Sequence, residues 1–295
     1  MTGFDDVQVL GFDLETTGVS TDDDRIVTAC AVLVEGGRVV HERNWLVAVD
    51  VDIPEGATAV HGITTDHARE HGVAADVAVK DIAGAIRYAV RSARPVVGFN
   101  VSFDLSMLDA ECRRHGLGTL EEFCGRPVRP VLDGYVLDKA TDRYRPGKRT
   151  LGTVCEHLGI ELADAHNATA DAVAAVEVVR RLLARARLGT NELMALYAGR
   201  KFPDGLVRSL RALGSLGAED LHDRQIQWYA EQSKSLGEYW QREANEKRAQ
   251  AGRGLPPGDA DLGPDERRQV LLDEAAELEQ RIASLRFEWP IAVSV

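Results

Sequence analysis

Three consecutive strand-like runs near the start constrain the fold of this chain more than any other feature. The first is VQVLGFDLE, and the next two lie within RIVTACAVLVEGGRVVHERNWLV, where Glu35-Gly36-Gly37 separates two β-patterned stretches. A Gly-Gly step between such runs is a hairpin signal, because tight hairpin turns need residues at positive φ. The fold therefore opens with three antiparallel strands. The pattern then changes: helical spacing joins Val77, Ile82, Ile86 and Val90, a short buried strand is expected at RPVVGFN, and a helix runs through FDLSMLDAECRRHG, capped by Asn100 or Ser102. A strand at RPVLDG, helices near 133–142 and 150–158, and a last helix from about 168 to 187 complete the alternation. The expected class is α/β, a mixed five-stranded sheet with flanking helices.

Beyond Ala186 the character differs. Residues 188–218 are short apolar pieces broken by glycine, read as a connecting segment, and 219–295 form a mainly helical C-terminal extension with long polar helices near 219–250 and 264–286. The stretch AGRGLPPGDADLGP separates those helices as a loop. Ile226, Tyr229, Leu236, Tyr239 and Trp240 form a near-helical apolar stripe, expected to dock on the catalytic domain, with a polymerase, nucleic acid or a second copy of the chain as the alternatives. RFEWPIAV reads as an extended return that packs through Trp289.

No apolar run is long enough to span a bilayer and the start lacks a signal-peptide pattern, so no membrane partner and a cytoplasmic location are expected. Cys30, Cys112, Cys124 and Cys155 form no C-x-x-C pair and read as buried free thiols rather than zinc ligands or disulfides. The formal net charge of -12 argues against a general duplex-coating protein. It does not exclude a nucleic-acid enzyme with a local basic strip and a cation-filled acidic site.

Such an acidic site is visible. Asp13 and Glu15 alternate along the first strand, so they share a face with Cα atoms roughly 6.5 Å apart. Asp104 lies in the opening turn of a helix after an apolar strand, and Asp171 in the first turns of the last main-domain helix, five residues after His166. Each acid alone has an ordinary explanation as a solvated or dipole-stabilised group. Together they fall at one end of one sheet, where four ionised carboxylates need compensating cations. All-oxygen donors favour Mg²⁺ or Mn²⁺.

The motifs FDLETTG, NVSFD and HNATAD, in that order over about residues 6–187, resemble those of the DnaQ-like (DEDDh) 3′–5′ exonucleases of RNase H-like fold, including polymerase III epsilon-type exonucleases. VHGIT at 60–64 resembles a substrate-pocket segment of the epsilon-like branch, whereas Phe99-Asn100 replaces that branch's frequent His-Asn. The resemblance makes 1–187 the exonuclease domain and implies that Asp13, Glu15, Asp104 and Asp171 hold two Mg²⁺ or Mn²⁺ ions, with His166 as general base. It further implies that Thr16 holds the terminal nucleotide, that Leu14 and Phe103 pack against the last bases, and that Val60 and His61 line the pocket.

Arg143, Arg145, Lys148 and Arg149 in DRYRPGKRT are the densest basic patch of that domain and are expected on upstream phosphates. The expected activity is stepwise release of nucleoside 5′-monophosphates from 3′ ends of single-stranded nucleic acid, with DNA favoured over RNA, in a DNA repair or replication setting. A proofreading subunit of a DNA polymerase and an exoribonuclease are the alternatives within the family, and a nonenzymatic adaptor the alternative outside it.

Overall fold

The computed structural model describes residues 4, 7–143, 145–162, 167–200, 203–253 and 263–292. Strands β1 (Val9–Thr16), β2 (Ile26–Glu35) and β3 (Arg38–Ala48) form the expected antiparallel meander, turning at Gly36 and Gly37, both at positive φ. Helices α1 (Glu55–His61) and α2 (Thr65–His71), the two-residue strand β4 (Val73–Ala74) and helix α3 (Ala75–Arg91) lead to β5 (Val96–Gly98). Then come α4 (Val101–Arg114), α5 (Leu120–Cys124), β6 (Val131–Asp133), α6 (Gly134–Thr141), α7 (Leu151–Leu158) and α8 (Ala168–Ala186).

The sheet order is β4-β3-β2-β1-β5-β6, with β5 parallel to β1 and β6 parallel to β5. It thus has six strands rather than the expected five. The addition is β4, which pairs with Val47 and Ala48 of β3. Gly72 permits it: a Cβ there would fall 2.4 Å from the Ala48 nitrogen, so only glycine lets the chain pass so close. Two residues are too few to show a strand period.

β1 lies between β2 and β5, and Val9, Leu10, Phe12 and Leu14 are all buried. Its odd-numbered residues face α8. Helix and strand meet closely because Gly11 has no side chain: a Cβ would lie 2.7 Å from Val32 Cγ2 and 3.0 Å from both the Ala172 oxygen and Val176 Cγ2. Gly11→Ala is expected to destabilise the protein by about 1–3 kcal/mol, read as a lower urea midpoint at unchanged m, because neither the β2 side chain nor the helix backbone can give way freely.

Residues 188–214 carry two helices, α9 (Thr190–Leu196) and α10 (Pro203–Gly214). Val207, Leu210 and Leu213 of α10 are buried, and a Cβ on Gly214 would meet the Ala186 oxygen at 2.6 Å, so the expected connecting segment is packed structure. The chain divides into two compact units, Met1–Ile226 with Pro290–Val295, and Gln227–Trp289. Helix α11 (Ala218–Gly252) begins in the first unit, where its opening turns lie along β6, and supplies one arm of the second.

In the second unit α11 runs antiparallel to α12 (Pro264–Ala283), tied by Lys247–Glu274 and Arg248–Glu279 ion pairs. The bulky stripe expected from sequence is packed in part: Tyr229, Leu236 and Trp240 are half-buried, whereas Tyr239 is 49% exposed and Ile226, in the first unit, 38%. Small residues at seven-residue spacing, Gly237, Ala244 and Ala251, also lie inward, and the two alanines are buried together with Ala275. Small side chains let helix backbones approach, whereas large ones hold them apart. Trp289 is buried, as expected, but residues 285–292 form no strand. Most of the expected 251–264 loop lies outside the described residues. Among the described residues, no helix is long and apolar enough to cross a membrane.

Candidate active site

The acids converge through three elements. β1 presents Asp13 and Glu15 toward α8 by strand alternation. Asn167 caps α8, its side chain accepting from Thr169 N at 3.0 Å, which places Asp171 in the first turn. The close packing at Gly11 then brings Asp171 to the β1 pair, and one carboxylate oxygen from each of Asp13, Glu15 and Asp171 lies within 4.8 Å of the others. Asp104 comes from the first turn of α4, which follows β5, the parallel neighbour of β1. It is buried, and its Oδ1 accepts from Leu14 N at 3.0 Å, which orients it without neutralising it. Asn100 occupies the expected capping position, but in the left-handed region and with no side-chain cap bond, and Ser102 lies inside the helix.

Crowding shows in the titration of these groups. Burial, then repulsion by Asp104, Asp171 and Glu15, holds the Asp13 carboxyl well above the usual range. Burial followed by Asp171 pushes Glu15 up to about 7, and burial pushes Asp104 up to about 8 against the opposing Leu14 hydrogen bond. A cluster that resists ionisation alone is stabilised by a cation. Cys30 stands opposite Asp13 in the β1–β2 register, yet burial raises its thiol to about 11, leaving carboxylate oxygens as the donors. That set fits a hard divalent cation.

Beside the acids lies a cleft of about 760 Å³, bordered by Glu15, Asn44, Val60, His61 and Asn167. α1 ends at His61 because Gly62 follows in the left-handed conformation, and His61 Nδ1 accepts from Ile63 N at 3.1 Å. Burial lowers the His61 pKa, so the ring is neutral near pH 7. Val60 is half exposed, Thr16 Oγ1 donates to the Gly18 oxygen at 2.6 Å, Phe103 is half-buried just before Asp104, and Leu14 is buried. His166 lies outside the described residues. Sequence reading missed Thr28, Asn44 and Trp45 on the cleft wall. Their signal is register alone: Glu15 pairs with Thr28, and Asp13 with Cys30, which pairs with Asn44.

The basic loop differs from expectation. Arg145 and Arg149 turn inward, their side chains 7% and 11% exposed, and both pair with Asp138, itself 2% exposed. Arg149 also donates to the Asp142 oxygen, while Asp142 pairs with Arg200 at 2.8 Å. Buried acids claim these guanidiniums, since an unpaired buried carboxylate costs several kcal/mol. Arg143 and Lys148 remain exposed, and Tyr144 lies outside the described residues.

A family model described as Exonuclease (RNase_T) matches residues 10–179, which hold every acid of the cluster. The chain belongs to this exonuclease family. The matched residues form a DnaQ-like nuclease region of RNase H-like fold within the first compact unit. Among curated proteins it is similar to the PolC-type DNA polymerase III of Lacticaseibacillus paracasei, 29% identical over 55% of this chain and 10% of that one. The PolC-type enzyme of Clostridium perfringens is 30% identical over 60% of this chain and 11% of its own length. The chain thus spans about a tenth of these relatives.

Among solved structures, E. coli exonuclease I in complex with a dT13 oligonucleotide has a TM-score of 0.50 at 21% identity, covering 64% of this chain and 45% of that one. The zinc-bound exonuclease I complex with single-stranded DNA has a TM-score of 0.51 at 20% identity, over the same shares. These establish the fold.

Proposed function

We propose that the protein is a DEDDh-type 3′–5′ exonuclease that removes nucleoside 5′-monophosphates from single-stranded 3′ ends, DNA preferred. The observation that carries this reading is the meeting of Asp13, Glu15 and Asp171 within 4.8 Å, with Asp104 alongside and all four donors oxygen. In this reading those four carboxylates hold two Mg²⁺ or Mn²⁺ ions. Bound there, the ions supply Lewis acidity and charge neutralisation at the scissile phosphate.

The chain's own groups do the rest. His166 takes the proton of the attacking water, a role suited to imidazole near neutral pH. A bond forms from that water oxygen to phosphorus as the bond from phosphorus to the 3′ oxygen breaks, leaving a 5′-monophosphate and a new 3′ hydroxyl. Thr16 holds the terminal nucleotide beside Glu15, while Val60 and His61 line its cleft. Leu14 and Phe103 support the last bases by apolar contact, which tolerates any sequence. Arg143 and Lys148, still exposed, meet upstream phosphates. A cytoplasmic setting in DNA replication or repair belongs to this reading.

The test is incubation with 5′-labelled single-stranded DNA and RNA in Mg²⁺, Mn²⁺ or EDTA. A metal-dependent ladder shortening from the 3′ end, faster on DNA, is expected. Absence of degradation under every metal would overturn the reading, and faster loss of RNA would make the protein an exoribonuclease. The PolC-type relatives favour one second reading, a proofreading exonuclease working with a DNA polymerase. Co-purification of a polymerase with the full chain, lost on cutting back 227–289, would support it.

A further inference from the structure

Helix α11 lies beyond the span matched by the exonuclease family, yet its hydrogen bonds to β6, within that span, lead to the helix that carries Asp104. β6 ends the sheet, so its outer edge needs partners for its main-chain groups. Side chains of α11 supply them. His222 Nδ1 accepts from Val131 N at 3.0 Å, Gln225 Oε1 accepts from Asp133 N at 2.8 Å, and Gln225 Nε2 donates to the Val131 oxygen at 3.0 Å. Positions three apart share a helix face, and Val131 and Asp133 present their N–H groups on one side of the strand, so the two spacings match. Both side chains are buried, Gln225 with no exposed surface.

Asp133 carries this constraint inward. Its Oδ1 accepts from Asn100 N at 2.8 Å and Tyr135 N at 2.9 Å, and the residue is fully buried. Asn100 stands at φ 63°, in the left-handed region, which asparagine enters more readily than other residues with a side chain but still at some cost. Its side chain makes no capping bond, so the bond from its N–H to Asp133 is a main restraint on the turn. The Asn100 oxygen then accepts from Phe103 N at 3.0 Å, and Asp104 is the next residue.

We propose that Gln225, assisted by His222, is a positioning residue for the nuclease site, setting through Asp133 and Asn100 where Phe103 and Asp104 stand. The proposal rests on the reading of Asp104 as a metal ligand. A helix that merely covered an edge would stabilise the fold and leave the site's properties alone, which gives the test its contrast.

In the full chain, Gln225→Leu removes the bonds to Asp133 N and to the Val131 and Leu221 oxygens at similar volume. Leu210→Ala, in the core at α10, is the comparator, a loss of packing outside this chain of bonds. Three quantities are read well below both melting temperatures: Mn²⁺ affinity by calorimetry without nucleic acid, kcat and KM on a labelled oligonucleotide, and amide exchange at Asn100. Gln225→Leu is expected to weaken Mn²⁺ binding roughly tenfold, the usual scale for groups that orient ligands, lower kcat more than it raises KM, and speed exchange at Asn100. Leu210→Ala is expected to lower Tm and leave all three unchanged.

If both variants lose Tm while Mn²⁺ affinity, kcat and Asn100 exchange match the wild type, the proposal is overturned. Should Gln225→Leu not fold, His222→Leu, which removes the bond to Val131 N, is measured instead, and the same results support or overturn the proposal. If the wild-type chain degrades neither DNA nor RNA, calorimetry and amide exchange still decide the positioning role, so failure of the exonuclease reading is told apart from failure of this one.

Discussion

Asp13→Asn is expected to leave a folded protein that no longer degrades nucleic acid. Asp13 is the carboxylate that feels all the others, Asp104, Asp171 and Glu15 each raising its pKa after burial. The same position puts it at the centre of the carboxylates that would hold the metal ions. The amide keeps the shape but offers no charge to hold a cation, so activity should fall by at least about 10²–10³-fold, the scale for removing one charge-stabilising group from an active site. The metal-free variant should melt higher than the metal-free wild type at pH 8, because an amide, unlike a carboxyl whose pKa folding raises, costs nothing to keep uncharged among the other acids. Timed shortening of a labelled oligonucleotide reads the first effect and thermal denaturation in EDTA the second. Substantial activity retained in Asp13→Asn would remove the acid cluster from the chemistry.

A site that costs stability and serves function is marked in the sequence wherever local rules place its residues. The acids were legible because strand alternation and helix capping are such rules: Asp13 and Glu15 must share a face, and a helix starting at Asn167 must carry Asp171 in its first turn. The six strands were legible except β4, whose two residues depend on a close approach at Gly72. Gly11 reads as an unremarkable strand glycine, although it is what lets α8 bring Asp171 to the β1 acids.

Other features depend on pairing between distant segments. Asn44 and Thr28 reach the cleft only through the register of β1, β2 and β3. The basic loop gave the sign of its charges and not their partners, and Asp138, which takes both Arg145 and Arg149, carries no local mark of burial. Gln225 and His222 looked like polar positions on a long polar helix. Their burial follows from β6 being the last strand, a fact of topology with no local trace. In the C-terminal hairpin, bulky residues dominate the sequence pattern, yet Ala244 and Ala251 are buried more deeply than they are.

Metal and pH should act on stability together. A carboxyl whose folded pKa is raised contributes stability that is fully present below its unfolded pKa and lost as pH rises through the folded value. For Glu15 the window runs from 4.5 to about 7, and for Asp104 from 3.8 to about 8, with Asp13 raised in the same direction. Metal-free protein should therefore lose this contribution between about pH 4 and 8. A cation that binds only the ionised cluster reverses the loss where the loss is greatest. At about a hundred times its Kd it adds about 2.7 kcal/mol, or roughly 5 °C in Tm for a chain of this size. Mn²⁺ should accordingly raise Tm at pH 8 and barely at pH 5, where protons already occupy the carboxylates. Asp13→Asn should blunt the pH 8 response, since the charge that couples the cluster to the ion is gone. An equal rise at both pH values, or an undiminished one in the variant, would place metal binding elsewhere on the chain.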